Sequence, residues 1–483
     1  MGKTGKSGSF KRVLNTGDIL VVAFGAMIGW GWVVSSGGWI QNAGVMSSVL
    51  GFVIGGVMLY FVGLTYAELT PAMPKAGGEH VFSFKAFGPT GSFVCTWALI
   101  LSYVGVVCFE ACSLPTIVQY IFPGFVKGYM YSVAGFDIHA TWVLLATLVT
   151  LAITWVNIRG VKAAAVFQTI LTVTIALVGI LLVAASAFRG SPANLEGQWM
   201  VGDGAFAVVR NMLSVAVVAP FFLMGFDVIP QVAEEINIPL RKIGWLLLAS
   251  ILFAVAFYAL VIFGIGYVLD TGAVAESMAG SGLVAADAMA RAFGSSAMAK
   301  VLIVGGLCGI ATSWNAFFIG GSRAIFSMAK ARMIPRRFSK VHPRHKTPVN
   351  ALLLICVLSL VAPFFGKTAL VWIADTASFA CCIAYGIVAL SFLRLRRTAP
   401  DMHRPFRVPL HGPVGVVAAL MSGVMVLMFI LPGTGCTLVP QEWAIVAAWT
   451  VLGVLFYISS KLVYKDRFGT VDLSSIEGGA PQA

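Results

Sequence analysis

The sequence predicts an all-α polytopic membrane protein with about twelve transmembrane helices. Three observations carry this: composition, apolar runs of bilayer-spanning length, and basic residues gathered on one side. Hydrophobic residues make up 59% of the 483 positions and charged residues 11%. A soluble domain is about a quarter charged, which gives water a surface it can solvate. This chain has no such surface to offer, so its exterior must face lipid.

Apolar runs of roughly 20 residues, the length that crosses a hydrocarbon core, fall near 18–40, 46–70, 91–121, 140–157, 163–187, 211–233, 243–268, 297–322, 348–365, 368–393, 412–432 and 442–461. With the amino terminus placed in the cytoplasm, only Lys127, Arg189, Arg210, Arg291, Lys300 and Lys367 of the 32 Lys and Arg residues lie outside. That asymmetry follows the positive-inside rule. A missed or invented span would reverse it downstream, so an even number of spans with both termini cytoplasmic is expected, in a bacterial inner membrane. The net charge of +13 is then topological, with basic loops held at lipid headgroups, and nucleic acid is not expected as a partner.

A polar head (1–16) and tail (463–483) flank a single transmembrane domain (17–462). The inner loop near 326–347 is basic and closed by Pro348, and the segment 394–413 carries Pro400, Pro405, Pro409 and Pro413. Two outer stretches, 188–208 and 269–287, are rich in Gly, Ala, Ser and acids and are expected as exposed loops. Seven of the eight cysteines lie inside predicted spans, with Cys436 in an outer loop. Their spacing fits neither a zinc site nor a disulfide framework. No metal ion or cofactor is expected. The first apolar run lacks a small-residue cleavage site and is expected as a helix, not a signal peptide.

Glycine and proline interrupt two of the spans. The first contains Gly25-Ala26-Met27-Ile28-Gly29-Trp30-Gly31, and the sixth contains Pro220-Phe221-Phe222-Leu223-Met224-Gly225-Phe226-Asp227 with Pro230 beyond. Glycine costs roughly 1 kcal/mol in a helix interior and proline about 3 kcal/mol, and backbone groups freed inside lipid need partners. Either span alone fits a GxxxG packing face or an ordinary kink. Two interruptions at the same ordinal place, five spans apart, point to an inverted-repeat transporter with discontinuous first and sixth helices.

Several further stretches carry a resemblance. They are Tyr66-Ala67-Glu68-Leu69 followed by Pro74-Lys75-Ala76-Gly77-Gly78-Glu79-His80; Gly225-Phe226-Asp227 with Glu234-Glu235 and Pro239-Leu240-Arg241; Ser322-Arg323-Ala324-Ile325-Phe326-Ser327-Met328-Ala329-Lys330 with Ile334-Pro335 and Thr347-Pro348; and Arg404-Pro405-Phe406-Arg407-Val408-Pro409. Together with the first-span glycines, their order and topological side resemble the amino acid–polyamine–organocation (APC) transporters, as in bacterial amino acid permeases. The resemblance implies a LeuT-type fold: two inverted five-helix repeats, about 17–187 and 209–393, plus extra helices at about 412–461. It also implies proton-coupled symport or exchange of an amino acid or related amine, by a monomer or homodimer. The alternatives are a polyamine or amine transporter, a transporter-like substrate sensor, or a channel.

A restarting half-helix offers free N–H groups and partial positive charge, which suit a carboxylate. The amides of Gly29, Trp30 and Gly31 are expected to take it, next to Ile28. A substrate ammonium would go to the carbonyls of Ala26 and Met27, near Phe221, Met224 and Gly225. By resemblance Phe221 is an aromatic gate, Phe317 a pocket aromatic of the eighth helix, and Tyr103 and Val107 pocket positions of the third. Relatives usually carry a small residue where this chain has Trp30, whose indole is expected either to shrink the pocket or to offer a face to a cation.

Acids inside the bilayer are functional candidates because a buried charge costs several kcal/mol. Glu110 shares a helix face with Tyr103 and Val107 and is expected either to couple protons or to balance a substrate amine. Asp227 is a second coupling or gating candidate, and Asp375 of the tenth span a third. Some relatives carry a fifth-helix lysine that replaces sodium. Here Ile175 falls near that position, so that mechanism is not expected. The six histidines fall at loops or span ends, which leaves no nucleophile–base pair or metal cluster for an enzyme.

Overall fold

The computed structural model describes residues 14–471, without the side chains of 161–167. The polar head up to residue 13, the tail from 472 and the Lys162 side chain lie outside the described residues. The first span is two helices, α1 (Thr16–Met27) and α2 (Gly31–Ala43), followed by α3 (Val45–Ala72) and α4 (Glu79–Ile121). A short hairpin of β1 (Tyr129–Val133) and β2 (Phe136–His139) leads to α5 (Ala140–Arg159) and α6 (Val161–Arg189). The sixth span is again divided, into α7 (Ala205–Phe222) and the single turn α8 (Val228–Gln231). Then come α9 (Leu240–Val268), the shorter α10 (Thr271–Ala279) and α11 (Val284–Phe293), and α12 (Ser296–Lys330). The chain closes with α13 (Val349–Ser359), α14 (Ala369–Thr398), α15 (His411–Ile430) and α16 (Pro440–Tyr464).

Among the described residues, 11 stretches are long and apolar enough to cross a membrane, and α13 is a shorter apolar helix. With α13 in the ninth place the count agrees with the twelve apolar runs of the sequence. The ninth run was expected to reach residue 365, but regular helix stops at Ser359, ahead of Pro363 and of Gly366 with φ +64°. The third helix begins twelve residues earlier than its apolar run, at Glu79, and bends at Gly88 (φ +73°) directly before Pro89. Proline removes a backbone donor and crowds the preceding turn, so the bend sits there.

One expected loop is mostly helix. Residues 269–287 contain α10 and the start of α11, and Val274, Val284, Ala285 and Ala288 are buried. A glycine on the facing helix α2 allows these helices to pack closely on it. At Gly37, a Cβ would overlap Val284 and Met278.

α4 is the central column and packs most extensively on α14 and α12, while α3 packs on α9 and α7. The ion pairs sit in the loop-proximal ends. Glu68, fully buried on α3, takes Arg396 Nη2 at 2.5 Å, Arg404 Nε at 3.1 Å and the Val408 N–H at 2.8 Å. Arg323 on α12 pairs with Glu235 at 3.0 Å. A buried carboxylate and its guanidinium partners fix one another because leaving either unpaired is costly.

Candidate functional site

The first break is a change of direction whose freed backbone groups find side chains. The Ile28 N–H still bonds to the Phe24 carbonyl at 3.0 Å, which completes α1. The carbonyl of Gly25 accepts from Thr312 Oγ1 at 3.0 Å, and that of Met27 accepts from Tyr258 Oη at 3.1 Å. At Gly29 the missing Cβ leaves room for two groups: a Cβ there would lie 2.7 Å from Ser313 Oγ and 3.0 Å from Glu110 Oε1. Ser313 donates its hydroxyl hydrogen to Glu110 Oε1, and the Trp30 N–H faces the same carboxyl. Glu110 Oε2 is buried with no hydrogen-bond partner among the described residues.

The second break lies against the first. Gly225 has φ +146°, a backbone conformation open to glycine and strained for other residues. A Cβ at Gly225 would sit 2.7 Å from Ala26 Cβ, 2.8 Å from Met27 Cγ and 3.0 Å from the Ala23 carbonyl oxygen. Glycine is required here by conformation and by space. The Gly225 N–H donates to Asp227 Oδ1 at 2.9 Å, Tyr385 Oη donates to Oδ2 at 3.1 Å, and Tyr103 Oη donates to the Asp227 carbonyl at 3.0 Å. Asp227 thus ties the unwound segment to α4 and α14.

Between the breaks lies a cavity of ≈ 20 Å³, room for about one water molecule. Ala26, Met27, Gly29 and Gly31 form one side, Val106, Phe109 and Glu110 of α4 another, and Phe221 and Phe222 of α7 a third. Tyr258 of α9 and Ser313 and Phe317 of α12 complete it. Every one of these residues is buried. Five of the twelve lining residues are aromatic, and rings among them meet edge to face, as Phe109 does with Phe221 at 5.2 Å and with Phe222 at 6.1 Å.

Of the residues singled out from sequence, Ala26, Met27, Gly29, Gly31, Phe221, Phe317 and Glu110 lie on this wall. Ile28, Val107, Met224 and Gly225 are buried behind it. Tyr103 stacks obliquely on Phe317 at 5.3 Å while its hydroxyl turns to Asp227. Trp30 contributes its backbone to the Glu110 contact, but its indole points elsewhere, into α12, where a Cβ on Gly306 would fall within the ring. The ring therefore neither narrows the cavity nor presents a face to it. Asp375 is remote and interacts with Glu442 at the start of α16. Ile175 is fully buried and reaches Gly309, so an apolar chain occupies the slot beside Gly29.

Five wall residues were not singled out as site residues from the sequence: Val106, Phe109, Phe222, Tyr258 and Ser313. The hydroxyls of Tyr258 and Ser313 were the findable ones, since a polar atom in an apolar helix needs a partner.

Residues 14–456 match the amino acid permease family. Among characterised proteins, the chain is 25% identical to the methylthioribose transporter of Bacillus subtilis, over 94% of each chain. It is 24% identical to the branched-chain amino acid permease BcaP of the same organism, over 93% of each. Identity to the aspartate-proton symporter of that organism is 25%, over 87% of this chain and 80% of the relative. Such a match over nearly the whole length, on an apolar helical fold with two facing helix breaks, makes the chain a multi-pass membrane transporter of the amino acid permease family, within the APC superfamily.

Proposed function

We propose that the protein moves an amino acid or related small amine across the bacterial plasma membrane by alternating access, as a proton-coupled symporter or exchanger with both termini cytoplasmic. One observation carries the reading: the first helix break, the end of α7 ahead of the second break and a membrane-buried carboxylate, Glu110, line one small cavity. Interrupted helix ends and a titratable acid at the same spot are what a site needs to bind a charged solute and respond to a proton. The printed names of relatives include branched-chain amino acids and aspartate with protons, which supports amino acid transport. In this reading Glu110 couples the proton or balances a substrate amine, Asp227 holds the gate below the cavity, and the halves 17–187 and 209–393 rock about it.

A second reading is favoured by the Glu110 contact itself. The backbone at Gly29 and Trp30, where a substrate carboxylate would bind, already faces a carboxylate of the protein. The wall includes five aromatic rings and no basic side chain. A carboxylate-free amine fits that environment: an acid balances its charge and ring faces attract it.

Uptake into proteoliposomes tests both readings. Amino acids and their decarboxylated amines are supplied with and without an inward proton gradient. Uptake of amino acids driven by the gradient supports the first reading, and selective uptake of amines supports the second. No uptake or exchange of either class defeats both.

A further inference from the structure

The basic residues beyond the last turns of α12 and α16 gather around a hollow of ≈ 410 Å³. Arg332, Arg336, Lys465 and Arg467 line it, with Asp466 as the acid among its lining residues. Two hydrogen bonds hold its edges together: the Arg336 N–H donates to Tyr464 Oη at 3.0 Å, and the Gly469 N–H donates to the Ala331 carbonyl at 2.8 Å. Arg332 and Lys465 have φ of +60° and +45°, conformations that L-residues adopt only when their surroundings impose them. Among the described residues, none of the four cationic side chains has an ion pair or a side-chain hydrogen bond.

Four cations set against one acid make an anion site. Its neighbours indicate the kind of anion. Leu462 and Val463, on the last turn of α16, are 70% and 71% exposed. They belong to a membrane-spanning helix, so they face acyl chains. Basic pockets between transmembrane helices at the membrane surface bind phosphate-bearing headgroups. The hollow is also much larger than a free phosphate ion requires.

We propose that this hollow binds the phosphate headgroup of an anionic phospholipid, whose chains run along Leu462 and Val463. The lipid would tie the end of α16 to the loop after α12, and so brace an outlying helix against the helix that supplies Ser313 to the transport cavity.

The test uses the full-length protein in nanodiscs of phosphatidylcholine, with or without about one-fifth phosphatidylglycerol. Phosphatidylglycerol is expected to raise the unfolding temperature by a few degrees, as a ligand of the folded state does, and native mass spectrometry should retain it on the protein. Both effects should vanish in the Arg332→Gln, Arg336→Gln, Lys465→Gln, Arg467→Gln quadruple variant. If that variant folds poorly, the double variant Arg336→Gln, Arg467→Gln, both exposed positions, should halve the effect or more. Retention of the full effect by a folded variant overturns the proposal, as does no effect on the unmutated protein.

Two further arms separate other occupants. Glycerol 3-phosphate in phosphatidylcholine discs should not reproduce the shift, and an equal shift would assign the site to a soluble phosphate. The tail from residue 472 includes Asp472 and Glu477. If only protein truncated after Val471 responds to phosphatidylglycerol, the tail is the occupant and the lipid proposal fails.

Discussion

Ser313 of α12 donates its hydroxyl hydrogen to Oε1 of Glu110 on α4, across the cavity that both helices share with the first helix break. The bond fixes one carboxyl oxygen and leaves the other buried without a partner among the described residues. Glu110→Gln keeps an acceptor for Ser313 and removes the charge. Charged hydrogen bonds are worth about 1.5–3 kcal/mol, so proteoliposome uptake is expected to fall about tenfold or more. The residual uptake should lose its dependence on pH, because the variant has no carboxyl to titrate at the cavity. Wild-type uptake and pH response in this variant would remove Glu110 from the mechanism.

Tyr258→Phe tests the backbone of the break. The variant keeps the ring and deletes the 3.1 Å bond to the Met27 carbonyl. The loss of one neutral hydrogen bond, about 0.5–1.5 kcal/mol, is expected to raise KM for uptake several-fold while the protein stays folded. Unchanged KM would show that the carbonyl is held without the tyrosine.

Trp30 and Gly306 form a ring-in-slot pair. Gly306→Ala should destabilise the protein by about 1–3 kcal/mol through overpacking, and Trp30→Ala by about 3–5 kcal/mol through the void it leaves. Because the two changes compensate in volume, the double variant should cost less than the sum of the singles. Thermal unfolding of the purified proteins measures all three, and strict additivity would mean that the side chains do not meet.

Glu68→Ala should be the most damaging change in the Glu68 ion network, because it strands Arg404 and Arg396 together. Removing one partner of a buried pair costs about 3–5 kcal/mol. Arg396→Ala should cost less than Arg404→Ala, since the Arg396 side chain is 18% exposed and that of Arg404 is 2% exposed. Thermal unfolding temperatures in that order check the prediction.

The features visible in the sequence are those set by local chemistry. Span positions follow from apolar length. Gly29 and Gly225 mark the breaks because their backbone conformation or close approach excludes a Cβ. Facing is a different matter. Phe109, Phe222 and Tyr258 lie in helices that are apolar on every side, where periodicity does not separate a cavity wall from a lipid contact. Trp30 shows the same limit: position put it at the break, but its side-chain direction depends on Gly306, almost 280 residues away in sequence. Helices α10 and α11 were hidden because glycine, serine and acids mark a loop to local rules, and that reading was set above the helix preference of the alanines among them.

The ≈ 20 Å³ cavity bears on the membrane as well as on the solute. A void with room for about one water molecule cannot hold a file of them, so hydrated ions do not pass through this cavity as it stands. If the protein is the gradient-driven carrier proposed above, a centre this small keeps it from short-circuiting that gradient. Each turnover must then begin with aromatic side chains moving apart, which makes wall motion, more than encounter with the solute, the natural limit on throughput.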